Sequence, residues 1–254
     1  NGGAGGRGGD STSPFYQGGS GGDGGMGAYF SASGSTLVNS GAVAGGNGGV
    51  EGATGAGSSI VGLGPAAKGK GGAGVTGADL TIINGGTISG GLGGDGVTRA
   101  DAITFTGGSN TLSFLGATSG LTGNIGLTGA LTFDQSGVDT TVANIIAGGG
   151  SVTKTGNAAV WLTGSNSYSG GTSLYTGTLG LGSNSALGAG NFYAFSGTTI
   201  GLADGVDISN DLTIDVRQTF DVGSGDTGTY SGRISEFGDP STLVKSGLGT
   251  LVLT

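Results

Sequence analysis

Ser151–Gly182 reads SVTKTGNAAVWLTGSNSYSGGTSLYTGTLGLG, and its first half returns near the end of the chain. SVTKTGNAAVWLT (151–163) aligns with TLVKSGLGTLVLT (242–254), so that Lys154 falls on Lys245, Gly156 on Gly247 and Thr163 on Thr254, each at an offset of 91; Leu162 falls on Leu253. Inside the first copy the apolar residues alternate in short runs: Val160 and Leu162, then Leu174, then Leu179 and Leu181. Such runs predict strands of period two. Thr155-Gly156, Thr163-Gly164 and Thr176-Gly177 separate them and predict corners, because Gly reaches backbone angles that cost other residues energy. The spacing from Gly156 to Gly177 suits one coil of a solenoid, near the short end of known repeat periods, and an offset of 91 predicts about four such coils.

A chain in which 69 of 254 residues are Gly or Pro could on composition alone be low-complexity. Against that stand alternating stretches such as DLTIDVR (211–217) and LVKSGLGTLV (243–252), which disorder gives no reason to maintain. No window of ten residues carries helical periodicity, so the chain reads as all-β. A sandwich needs long antiparallel strands and a thick aromatic core. Here the expected strands run three to six residues and aromatics are 6 %, which favours a parallel β-helix of ten or eleven coils. In such a stack like lies over like, so Thr, Ser, Asn and small apolar residues form columns along each face.

The stretch also resembles a known family, the autotransporter-associated β-strand repeat of type V secreted bacterial proteins. Its pattern, K-x-G-x-G-x-L-x-L-x-G-x-N-x-Y-x-G-x-T followed by an aliphatic residue and G-x-L, is filled by Lys154, Gly156, Val160, Leu162, Gly164, Asn166, Tyr168, Gly170, Thr172, Leu174, Gly177 and Leu179. Ala158 departs at the second glycine, which Gly249 keeps in the second copy. The resemblance covers about 45 residues. It implies a right-handed parallel β-helix passenger, exported through an outer-membrane translocator barrel and displayed on a Gram-negative cell surface. The implied role is that of a structural stalk or adhesin, meeting like molecules on neighbouring cells or host surface components.

Two parts follow from composition. Residues 1–77 hold 29 of the 66 glycines, many in GGX triplets at 2–10, 18–25 and 45–49. Period three with two bare positions permits either glycine helices of the polyproline II type or long GGX loops at the corners of the solenoid. Rungs are expected at 28–32, 36–39, 58–61 and 78–83. Residues 78–254 read as the regular β-helix, with rungs at 103–105, 111–115, 124–127, 130–133 and 140–146 and the repeats at 151–182 and 242–254, the second cut short.

The chain has no Cys and no His, and a net charge of −8 with eight Lys and Arg. Nucleic-acid binding is not expected without a basic patch, nor is membrane insertion, since no apolar run approaches a span. Lack of disulfides fits a chain threaded unfolded through a secretion pore. A start at Asn1 and a stop within a repeat suggest an excised fragment whose edge coils the full protein would cover.

Candidate chemistry is thin. Residues 90–98, GGLGGDGVT, match the nonapeptide that binds calcium in β-rolls, but one copy supplies half a cage, and 5–13 and 18–26 lack the large apolar residue; Asp95 is therefore a weak calcium candidate and an incidental turn residue is favoured. Asp204, Asp207, Asp211, Asp215, Asp221 and Asp226, with Arg217, could serve a carbohydrate-active β-helix, yet Asp is a favoured turn residue. Gly9-Asp10-Ser11 lacks a base for nucleophilic chemistry. Lys154 and Lys245 read as solvated register marks. Alternation points Trp161 outward, as a cover for a neighbouring loop or a contact residue. No residue is assigned a catalytic or cofactor-binding role; an extracellular filament stacking end to end is a further alternative.

Overall fold

The computed structural model describes all residues except 13–15, 55–65, 119 and 239, so the rung expected at 58–61 lies outside the described residues. Among the described residues every regular element is a strand, and every ladder between named strands is parallel. The chain winds as a β-solenoid with three faces. The first face stacks nine rungs, in register as Thr36, Thr81, Thr111, Thr132, Thr153, Ser173, Tyr193, Thr213 and Ser235. The second runs through Thr140–Val142, Val160–Leu162, Thr178–Leu181, Thr198–Leu202, Arg217–Val222 and Thr242–Ser246. The third ends in Asp207–Ile208, Thr227–Tyr230 and Thr250–Leu253.

Coil length is set by what the corners contain. Ser173, Tyr193 and Thr213 follow one another at nearly the interval expected from Gly156 and Gly177. Early coils, from Thr36 to Thr81 and from Thr81 to Thr111, are longer because glycine-rich excursions are spliced into them. Among the described residues the widest face therefore stacks nine rungs in place of ten or eleven coils, a length of roughly 40 Å at strand spacing. Two strands are also longer than expected: Ile103–Phe114 and Ile125–Asp134 each run across a corner, with the ladder register slipping between Thr106 and Ser109 where Gly107 and Gly108 bend the chain.

Alternation fills the lumen. Along the second face the inward column is Val142, Leu162, Leu181, Leu202 and Val222, all buried. Phe114 and Phe133 stack across one rung, ring centroids 6.5 Å apart, and Phe220 meets Tyr230 edge-on at 5.5 Å. Polar side chains that point inward bond between coils: Asn39 Nδ2 donates to Asn84 Oδ1 at 2.7 Å, and buried Gln218 Nε2 donates to the Thr198 carbonyl at 3.0 Å. Each therefore keeps its hydrogen bonds out of water.

The glycine triplets assemble into a separate lattice beside the first coils. Gly2, Gly5, Gly8 and Ser11 donate to the carbonyls of Ala44, Asn47, Val50 and Ala53 at 2.7–3.0 Å, a parallel pairing. Gly25, Gly22 and Gly19 donate to Gly3, Gly6 and Gly9, and receive in turn from Gly46, Gly49 and Gly52, both antiparallel. The partners advance by three positions each time, the repeat of an extended threefold helix. A Cβ on Gly5 would stand 1.9 Å from the Gly22 carbonyl oxygen, and one on Gly49 2.0 Å from that of Gly6, so only hydrogen fits between the segments. The third residue of each triplet, among them Arg7, Asp23, Asn47 and Lys70, faces solvent.

Candidate functional site

The repeat residues build one corner. Lys154, on Ser151–Thr155, is fully buried, contrary to the solvated position expected of a lone strand lysine. Its Nζ donates to the carbonyls of Thr155 and Gly156 at 2.7 Å and to that of Thr176, one coil on, at 3.3 Å. An ammonium has three donors and no acceptor, so three converging carbonyls suit it. Burial pulls its pKa down to about 8, with the carboxylates of Asp134 and Asp139 opposing the fall. Gly156 takes φ +79°, the left-handed conformation that brings its carbonyl round to the ammonium. Lys245 makes the two local bonds, donating to Ser246 and, at 3.0 Å, to Gly247, itself at φ +71°, but it is exposed, as expected of a solvated strand lysine.

The two copies do not lie over one another. Four coils from Lys154, through Leu174, Ala194 and Ile214, end at Glu236. The offset between the copies is longer than that, and the excess carries Lys245 onto the second face, where it pairs with Phe220. Leu162 accordingly lines the second face and Leu253 the third, where it pairs with Tyr230. Leu162 is fully buried in the core, whereas Leu253, on the last rung of its face, is 49 % exposed.

Asn166 stitches three coils, accepting from the Ile146 amide at 2.8 Å and donating to the Ala186 carbonyl at 2.7 Å. Tyr168 is buried, with its hydroxyl 2.6 Å from Thr172 Oγ1, and burial raises its pKa. Gly164 and Gly170 pass so close to the coil before that a Cβ would meet the Asn144 oxygen at 2.4 Å and the Gly150 carbonyl carbon at 2.6 Å. These positions are thus packing and pairing sites of the solenoid.

The acidic residues are spread along the solenoid, Asp207 and Asp221 on strands and Asp204, Asp211, Asp215 and Asp226 between them. Asp204 accepts from the Thr227 amide at 2.9 Å, Asp207 from Ser231 Oγ at 2.7 Å and Asp221 from Ser246 Oγ at 2.7 Å. Among the described residues no three His, Cys, Asp or Glu side chains are grouped to hold a metal. Asp95 faces its own turn: one oxygen accepts from the amides of Val97 and Thr98 at 2.9 Å, the other from Thr98 Oγ1. Those bonds, led by the Thr98 hydroxyl, pull its pKa down to about 2. Arg7 pairs with Asp10 on the exposed side of a glycine triplet.

The outward surface carries the remaining chemistry. The first face presents the column of Thr and Ser described above, from Thr36 to Ser235, interrupted once by Tyr193. On the second face Trp161 points outward, as alternation predicts, and covers the next two coils: a Cβ on Gly180 would meet its ring at 2.0 Å and one on Gly201 at 3.1 Å. What sequence reasoning missed is that coil stacking sets the exposed rings of Tyr193 and Phe237 around one cavity and stacks exposed Tyr175 on Phe195.

The fold and surface define a three-faced parallel β-solenoid of the kind that displays long polar ladders. Over 118 residues, 44 % of its length, the chain is 38 % identical to the adhesin BmaC autotransporter of Brucella suis biovar 1 (strain 1330), of which this match spans 3 %. No family model and no solved structure matches the chain. No helix among the described residues is long and apolar enough to cross a membrane.

Proposed function

We propose that the chain is a segment of an exported, surface-displayed passenger of the autotransporter type, acting as stalk and adhesin. The supporting observations are the solenoid fold and the similarity to an autotransporter adhesin. On this reading a translocator barrel lies elsewhere in the whole protein, the repeat at 151–182 is the autotransporter-associated repeat, and the glycine triplets are glycine helices bracing the first coils.

The observation that carries the adhesive role is the Thr and Ser column of the first face. Hydroxyls repeat on it at strand spacing, about 4.8 Å. A second copy laid alongside would meet the same periodicity, and each hydrogen bond would contribute on the order of 1 kcal/mol net or less. Repetition along a rod converts such contacts into avidity. Sedimentation velocity on the purified chain tests this. Concentration-dependent association should be lost in Thr153→Glu/Ser173→Glu, whose side chains project outward and leave the lumen intact. Association that persists in that variant removes the ladder reading. End-to-end fibres by electron microscopy would favour a filament subunit in its place, and turnover of a polysaccharide that disappears in Asp226→Asn would favour a carbohydrate-active enzyme.

A further inference from the structure

Beside the hydroxyl column of the first face runs a second outward column: Val38, Ile83, Ser113, Asp134, Thr155, Tyr175, Phe195, Asp215 and Phe237. Its first two rungs are aliphatic, the next three polar, and the last four hold three aromatic rings. Tyr175 and Phe195, one coil apart, stack with centroids 4.2 Å apart and planes within 11°. The opposite face of Phe195 looks to the next rung, where Asp215 stands in place of a third ring. Phe237 follows one rung beyond. Phe195 and Phe237 are therefore two rungs apart, roughly 9.6 Å, which leaves room for one flat ring between them. The space is a cavity of about 410 Å³ lined by Tyr193, Ala194, Phe195, Thr213, Asp215 and Phe237. Its walls are open to solvent, Phe237 being 71 % exposed and Tyr193 40 %.

The floor of the slot is polar. Asp215 Oδ1 accepts from the Val216 amide at 2.9 Å, which fixes the carboxylate, and Thr213 Oγ1 lies 3.3 Å from Ser235 Oγ. An apolar protein segment seated here would desolvate Asp215 without giving it a partner. An anionic ligand would meet that carboxylate on a chain of net charge −8. A pyranose answers both demands: its C–H face packs on an aromatic ring, and its hydroxyls donate to a carboxylate that can only accept.

We propose that the slot between Phe195 and Phe237 binds one residue of an uncharged oligosaccharide, with Asp215 accepting from its hydroxyls and Tyr193 supporting the neighbouring residue. The slot shares Tyr193 and Thr213 with the first-face column, but its rings Phe195 and Phe237 lie outside that column, and sugar binding there does not depend on the ladder's adhesive role. The test is calorimetric titration of the purified chain with maltohexaose, cellohexaose and the hexamer of N-acetylglucosamine, with oligogalacturonate as the anionic comparison. At least one neutral hexamer should bind saturably. Phe237→Ala and Tyr193→Ala, each removing an exposed ring and checked for fold by circular dichroism, should weaken that binding about tenfold or more, and Asp215→Ala should weaken it likewise. Thr132→Glu/Thr153→Glu, on rungs three and two coils before Tyr193, should change it by less than about twofold, a ratio that keeps this site distinct from the ladder. Failure of every neutral hexamer to saturate overturns the proposal, as does undiminished binding by both ring variants or preference for oligogalacturonate. So does a change in the sedimentation of the sugar-free chain caused by Phe237→Ala, which would assign the slot to a second copy.

Discussion

The indole of Trp161 lies against Gly180, its in-register neighbour one coil on, so closely that a Cβ there would sit 2.0 Å from the ring. Trp161 is the sole tryptophan, and its fluorescence reports on this contact alone. Gly180→Ala should force the ring off the face and destabilise the chain by about 1–3 kcal/mol, the usual cost of inserting a carbon into packed structure. The emission should shift to the red in the folded state. Gly201→Ala, whose Cβ would stand 3.1 Å from the ring, should cost less. Urea titration followed by Trp emission compares the two.

Lys154 gives the stability a pH dependence of known sign. Its pKa falls from the ordinary 10.5 to about 8 in the folded chain, so between those values the unfolded chain holds the extra proton and stability rises with pH, by about 1 kcal/mol or more. Tyr168 and Tyr230 act oppositely, since burial raises both pKa values and the folded chain keeps protons that the unfolded chain releases above pH ~10. Thermal unfolding should therefore be most resistant between these two regimes. In Lys154→Met, which keeps the volume and removes the charge, the rise above pH ~8 should vanish while the fall above pH ~10 remains.

The glycine lattice tolerates side chains on one side only. Gly49→Ala places a methyl 2.0 Å from the Gly6 carbonyl oxygen, whereas Gly6→Ala points one into open space. Hydrogen exchange should show faster exchange at Gly22, Gly25 and Gly52 in the first variant and little change in the second. Amides of the lumen strands from Thr140 onward should be unaffected in both, because each coil contacts only its neighbours.

Calcium is expected to contribute nothing to stability. Both oxygens of the Asp95 carboxylate are held by Val97 and Thr98, and taking them for a cation would unmake the turn. Chelation with EGTA should leave the unfolding temperature unchanged, and a rise on adding calcium that disappears in Asp95→Asn would contradict this assignment.

Much of the architecture was legible because it is local. Alternation at Val160, Trp161 and Leu162 fixes which side chains enter the lumen, and the length of a regular coil follows from the spacing of Gly156 and Gly177. The strands at Ala42–Ala44 and Thr87–Ser89 escaped notice because such short runs between glycines carry too little pattern to register.

The sequence by itself determined an all-β chain, its corners and the inward sense of apolar strand residues such as Val160 and Leu162, since these depend on backbone period and on residues a few positions apart. Tertiary structure alone decided which residues share a column. Coils of unequal length accumulate into a displacement of a whole face between Lys154 and Lys245, and the same stacking brings Tyr193, Asp215 and Phe237 together. It also decided that Lys154 is buried: the carbonyl of Thr176 that helps close over it comes from the next turn of the chain, and local pattern carries no information about a partner one coil away.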